Sequence, residues 1–102
     1  MLMAGPQHIH YRAEPADQRL IEPLDAMTLI YQRRSGITHI VAEPVPQILA
    51  AMGDDVVDAR TVAARLARDF DLDVAEAETI VAARLEELAS LGLVEKATQP
   101  GA

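Results

Sequence analysis

Apolar positions recur along this chain at two periods, and the change between them falls near Glu43-Pro44. From Asp58 to Val94 the spacing is helical. Val62, Leu66 and Phe70 fall four apart, with Ala63 and Ala67 beside them, which predicts one amphipathic helix with Asp58 as its N-cap. Asp71-Leu72-Asp73 ends it. Asp73 and Glu76 form a capping-box pair that opens a longer helix, Ala75–Leu91, whose apolar face is read as Ala77, Ile80, Val81, Leu85, Leu88 and Leu91. Arg84 falls near the centre of that face. Gly92 stands where a left-handed residue closes a helix, and Leu93–Glu95 reads as a short strand or a tuck onto the core.

Upstream the pattern alternates. Met27–Gln32 and Ile37–Ala42 read as strands, joined by Arg33-Arg34-Ser35-Gly36 as a hairpin turn. An even loop places Leu29 and Tyr31 on one face with Thr38, Ile40 and Ala42, and Ile30 and Gln32 on the other with His39. An odd loop reverses the parity. Gln18–Leu24 is an apolar extension whose Pro23 suits a sheet edge, and His8–Arg12 alternates weakly as a first strand. Glu43-Pro44-Val45-Pro46 ends the hairpin and opens a short helix to Met52, closed by Gly53. The expected fold is α+β and winged-helix-like: an N-terminal three-stranded antiparallel sheet followed by three helices. The domain is expected over residues 8–95, between a flexible tail at 1–7 and a disordered tail at 96–102.

Composition narrows the function classes. The 102 residues suffice for one domain, and half of them are hydrophobic, which excludes global disorder. Net charge is −7, so a duplex-binding face driven by phosphate neutralisation could only be local. The exposed side of Ala75–Leu91 carries Glu76, Glu78, Glu86 and Glu87, which would repel phosphate at the helix that should read DNA. The basic pair Arg33–Arg34 at the hairpin tip is the only opening for a DNA-binding or transcription-adaptor reading. Without cysteine, thiolate catalysis and zinc–cysteine sites are excluded. No apolar run approaches the ~20 residues of a membrane span, and Met1–His10 lacks signal-peptide character. A cytoplasmic protein is expected.

Candidate chemistry is sparse. Asp69, Asp71 and Asp73 alternate like the start of a calcium loop, but Val74 and Ile80 occupy the positions that need glycine and a bidentate glutamate. Two helix ends competing for polar caps explain the aspartates. His8, His10 and His39 could converge on a metal only by chance of folding, so no metal or cofactor is expected. No nucleophile elbow, phosphate loop or paired-carboxylate motif is present, and the chain is read as non-catalytic. Two features remain. Arg84 on an apolar face either snorkels to water or meets an anionic partner group. The strand Ile37–Ala42, if the sheet follows chain order, is an edge able to accept a peptide strand.

Three segments, TLIYQRRSGITHIVAEP (Thr28–Pro44), PQILAAMGD (Pro46–Asp54) and TVAARLARDFDLDVAEAETIVAARLEELASLGLV (Thr61–Val94), together resemble the PqqD family. The nearest variety is the HPr-rel-A-type PqqD-like proteins. The resemblance implies a RiPP recognition element, a peptide chaperone that binds the leader of a ribosomally made precursor peptide and presents it to a modifying enzyme, often a radical-SAM enzyme. It implies that the leader adds as a strand to Ile37–Ala42 beside the helix Ala75–Leu91. The implied peptide-binding residues are Ile37, Thr38, His39, Ile40 and Val41 on the strand, and Ile80, Arg84 and Leu88 on the helix. The family more often has an apolar or aromatic residue where Arg84 stands. The expected partners are therefore a leader peptide and its enzyme, with no nucleic acid or membrane, on a monomer or weak dimer.

Overall fold

The computed structural model describes residues 9–97. Its elements are β1 (His10–Ala13), a short 3-10 turn (Ala16–Gln18), β2 (Arg19–Leu24), β3 (Met27–Gln32) and β4 (Thr38–Ala42), then α1 (Val45–Met52), β5 (Val57–Asp58), α2 (Ala59–Phe70), α3 (Val74–Leu91) and β6 (Val94–Ala97). The class is α+β, with three helices and two three-stranded antiparallel sheets.

The sheets divide the strands differently from expectation. One is a meander, β2-β3-β4, in chain order. The other, β5-β1-β6, joins the two ends of the described chain. β1 pairs His10 with Ala97 and Ala13 with Val94, so the first strand closes onto the last and takes no part in the meander. The residues Lys96 and Ala97, expected in a C-terminal tail, are ordered in β6 by this pairing with Tyr11 and His10. The tail expected at 1–7, His8, and residues 98–102 lie outside the described residues.

Helix ends fall where the capping chemistry put them. Asp58 Oδ1 accepts from Thr61 N at 2.8 Å, and Asp73 Oδ1 accepts from Glu76 N at 3.1 Å. α3 ends in a Schellman arrangement: Leu93 N donates to Leu88 O at 2.9 Å, Gly92 N donates to Ala89 O at 3.1 Å, and Gly92 has φ +80°. At the far end of α1, Arg65 on α2 donates to Ala51 O at 2.8 Å and to Asp55 Oδ2 at 3.0 Å, clamping the two helices.

The core lies among the three helices and the β5-β1-β6 sheet. Ile48, Leu49, Met52, Val62, Val81, Leu85 and Leu93 are almost wholly buried there. From the meander only Ile30 and Val41 join this core. Two helical expectations change. Phe70, placed in the α2 stripe by its spacing, is exposed, because it is the last residue of the helix and lies a full turn beyond Leu66. On α3 the buried stripe is Ala77, Val81, Leu85 and Leu88. Ile80 and Leu91 lie on its exposed shoulder, and Arg84 is at the border of that stripe instead of its centre.

Candidate functional site

The hairpin β3–β4 determines what the meander offers. Gln32 N donates to Ile37 O at 2.9 Å, and the register pairs Tyr31 with Thr38, Ile30 with His39 and Leu29 with Ile40. The loop is therefore even. Ile30, Gln32, His39 and Val41 share the inward face, while Leu29, Tyr31, Thr38, Ile40 and Ala42 share the outward one. β2 adds Leu20 and Leu24 to that outward face, since they stand opposite Tyr31 and Met27. Leu20, Leu24, Met27, Tyr31 and Ile40 are all exposed, so the face is largely apolar and open to water.

β4 has a strand neighbour on one side only. In an antiparallel ladder, pairs that exchange hydrogen bonds alternate with pairs that do not. Bonding at Gln32/Ile37 makes Ile30/His39 and Thr28/Val41 the next bonded pairs. The N–H and C=O groups of Thr38, Ile40 and Ala42 then turn to the open edge. The same three residues carry the outward side chains.

The expected peptide-site residues divide by exposure. Ile37, Thr38, Ile40 and Ile80 are exposed, with Ile40 at 65%. His39 is half-buried, and its Nε2 lies 2.7 Å from Gln32 Oε1. Arg84 is half-buried and ion-paired with Glu87 one turn on. Val41 and Leu88 belong to the core, Leu88 with only 2% of its surface exposed, so both can support a groove but neither can line one. Burial follows from parity on β4 and from the central position of Leu88 in the α3 stripe.

A polar cluster at the root of the hairpin was not anticipated. Gln32 is 3% exposed. Its Nε2 donates to Gly92 O at 3.0 Å and to Glu14 Oε1 at 3.1 Å. With both donors used, its Oε1 is the acceptor, taking a bond from Ser35 Oγ at 3.3 Å and from the Nε2–H tautomer of His39. Glu14 is buried as well, and Arg34 reaches its Oε2 at 3.3 Å from a largely solvated position, off hydrogen-bonding geometry. The cluster ties β3, β4, the segment after β1 and the end of α3 together. The clue in sequence was a glutamine in phase with Ile30 on an inward-facing strand position; it needed the loop parity to be read.

Tyr11, buried on β1, makes a second link at the surface of α3. Its hydroxyl donates to Glu86 on α3, and Lys96 Nζ lies 3.4 Å from the same carboxylate. Burial, and then the bond to Glu86, push the Tyr11 hydroxyl well above its ordinary range. The Tyr11 bond, aided by Lys96 and opposed by partial desolvation, holds the Glu86 carboxyl below its own. Clefts of about 520 and 480 Å³ open around Arg34, Gly92 and Glu95 at the hairpin root, and neither is lined by any of the expected peptide-site residues. Among the described residues, no group of three or more His, Asp or Glu could hold a metal ion, and His10 and His39 stand in different sheets. No helix among them is long and apolar enough to cross a membrane.

Comparison with protein-family models, curated proteins and solved structures finds no match to the chain.

Proposed function

We propose that the protein is a non-catalytic peptide-binding module of winged-helix-like plan. It takes the leader of a ribosomally made precursor peptide as an added strand on β4 and presents it, in the cytoplasm where such a precursor is made, to a modifying enzyme, a role often filled by radical-SAM enzymes. The observation that carries this reading is the open edge of β4, with the backbone groups of Thr38, Ile40 and Ala42 free to pair. The edge is unguarded: β4 contains no charged residue and no proline, the usual devices against unwanted pairing. The resemblance puts the other wall of the site on α3, where Ile80 is exposed and Arg84 half-exposed while Leu88 is buried; β4 itself packs on β3 and α1. The resemblance to the PqqD family supports the same assignment.

The acidic surface weighs against the DNA-binding alternative. Of the two arginines at the tip, Arg34 is already engaged with Glu14, which leaves Arg33 as the one uncommitted by an ion pair among the described residues. The test is a titration of isotope-labelled protein with the leader segment of a precursor peptide encoded beside its gene. Amide shifts should concentrate on Thr38–Ala42 and on the outer face of α3. Shifts confined to the β5-β1-β6 sheet, or binding that Thr38–Ala42 does not report, would remove the reading.

A further inference from the structure

We infer that β4 pairs antiparallel with β4 of a second copy of this chain, about a two-fold axis centred on Ile40. The backbone is self-complementary in that register. Residues 38, 40 and 42 turn their N–H and C=O groups outward and are spaced evenly about Ile40. A two-fold there opposes Thr38 to Ala42 of the second copy and Ile40 to its own equivalent, and every one of these is a bonded pair. The result is a continuous six-stranded sheet, β2-β3-β4 running into β4-β3-β2.

Charge agrees with the same register. The meander has an acidic end and a basic end. Glu22 lies toward the end where Met27 pairs with Leu24 and Ala42, and there Asp25 turns the chain and Glu43 follows β4. Arg33 and Arg34 occupy the turn at the opposite end. A two-fold reverses the strands, so Glu43 of each copy stands opposite Ile37 of the other, and the acidic end of each meander lies toward the basic turn of its partner. Attraction between the ends is thus made twice in one dimer.

The apolar surface supplies the driving force. Ile40 is the most exposed large hydrophobic residue among those described, at 65%, and Ile37 at the end of the loop is 52% exposed. In the paired sheet Ile40 meets Ile40 across the axis, and each Ile37 gains the chain of the other copy beside it. The other edge strand, β2, is protected from such pairing by Glu22 and Pro23, so the two edges are not equivalent. An interface made by one strand is small, and −7 on each copy opposes it, so the dimer should be weak.

The inference stands on the edge and not on peptide binding, and it is tested with no peptide present. Sedimentation velocity on the full chain, from micromolar to millimolar concentration, should show a reversible monomer–dimer equilibrium. Ile40→Lys, which sets two like charges opposite one another at the axis of an already exposed site, should abolish the dimer and leave the circular dichroism and melting of the monomer unchanged. Glu43→Lys should weaken the dimer about threefold through the attraction between the ends, and Arg33→Glu in that background should restore it. A monomer at every concentration, a dimer indifferent to Ile40→Lys, or a Glu43→Lys effect that Arg33→Glu does not reverse would each overturn the two-fold register.

Discussion

Gln32→Leu tests whether the hairpin is held by its polar root. The substitution keeps a side chain of similar volume at a site only 3% exposed and removes the bonds to Glu14, Gly92 O, Ser35 and His39. A net hydrogen bond contributes about 0.5–1.5 kcal/mol, with more when one partner is charged, and an abandoned buried acceptor costs a further amount of the same order. Ser35 and His39 lie near enough to solvent to find water, so most of the loss comes from Glu14 and Gly92 O. The expected destabilisation is about 3 kcal/mol, a large part of the ~5–15 kcal/mol that holds a domain together. For a chain of this size that corresponds to a fall in Tm of roughly 15 °C. Urea unfolding at pH 7, followed by circular dichroism, measures it directly.

Much of the cost assigned to Gln32→Leu comes from the Glu14 carboxylate that it strands, with only the off-axis Arg34 to meet it. Removing that carboxylate as well, in Gln32→Leu/Glu14→Leu, should recover part of the loss, because an apolar pair avoids the stranded charge. The coupling between the two sites should be about 1–2 kcal/mol, in the sense that the double variant is more stable than the two single losses added together. Strict additivity within about 0.5 kcal/mol would refute the reasoning, since residues in one network cannot be independent.

Smaller perturbations address the rest of the fold. Leu85→Ala, at a wholly buried α3 position, should cost about 2–5 kcal/mol by urea denaturation, whereas Phe70→Ala at the exposed end of α2 should cost under about 1 kcal/mol. Asp58→Ala should lose about 1 kcal/mol with the cap on Thr61 N, measured the same way. Tyr11→Phe should change the pH profile of stability at both ends. The lowered Glu86 carboxyl stabilises the fold above the ordinary carboxylate range and ceases to as pH falls through its folded value, so the wild type's advantage should vanish in acid. The raised Tyr11 hydroxyl favours the fold below the ordinary tyrosine range near pH ~10 and opposes it above, so the phenylalanine variant should lack the alkaline destabilisation. Melting curves between acid and alkaline pH follow both limbs.

What the sequence revealed and what it hid follow from the range of the interactions. The caps at Asp58 and Asp73 and the stop at Gly92 are set by residues within a few positions of one another, and pattern alone placed them; the parity of the hairpin stayed open in the sequence and is fixed by the pairing of Gln32 with Ile37. The pairing of β1 with β6 depends on residues at opposite ends of the chain, and nothing local in His10–Ala13 distinguishes a meander strand from a strand that closes the domain. Ile80, Arg84 and Leu91 were read with the buried face because helical spacing marks which residues are neighbours on a helix, not how wide an arc the neighbouring elements cover. Only Ala77, Val81, Leu85 and Leu88 are covered, which moves Arg84 from the centre of an apolar face to its edge. An arginine at the edge reaches water and Glu87 with no burial of charge, so its presence needs no anionic partner to explain it. Among the candidate residues the peptide reading therefore rests more on β4 than on Arg84.

A single edge cannot be paired twice. If β4 joins β4 in the free protein, then a peptide strand reaches Thr38, Ile40 and Ala42 only by separating the copies, and its apparent affinity must fall as protein concentration rises. The two processes also differ in what they ask of the side chains. Self-pairing brings Ile40 against Ile40 and the acidic end of one meander toward the basic turn of the other, whereas a peptide contributes its own side chains at those places. Ile40→Lys separates them for this reason: it sets two like charges face to face in the dimer but leaves the backbone groups of β4 available to a peptide, above all one with an acidic residue opposite position 40. A variant that loses the dimer and binds the leader more tightly at high protein concentration would show that the edge is occupied by its own kind until a peptide displaces it. Loss of the dimer with no gain in apparent affinity at any protein concentration would mean that the two partners use different surfaces.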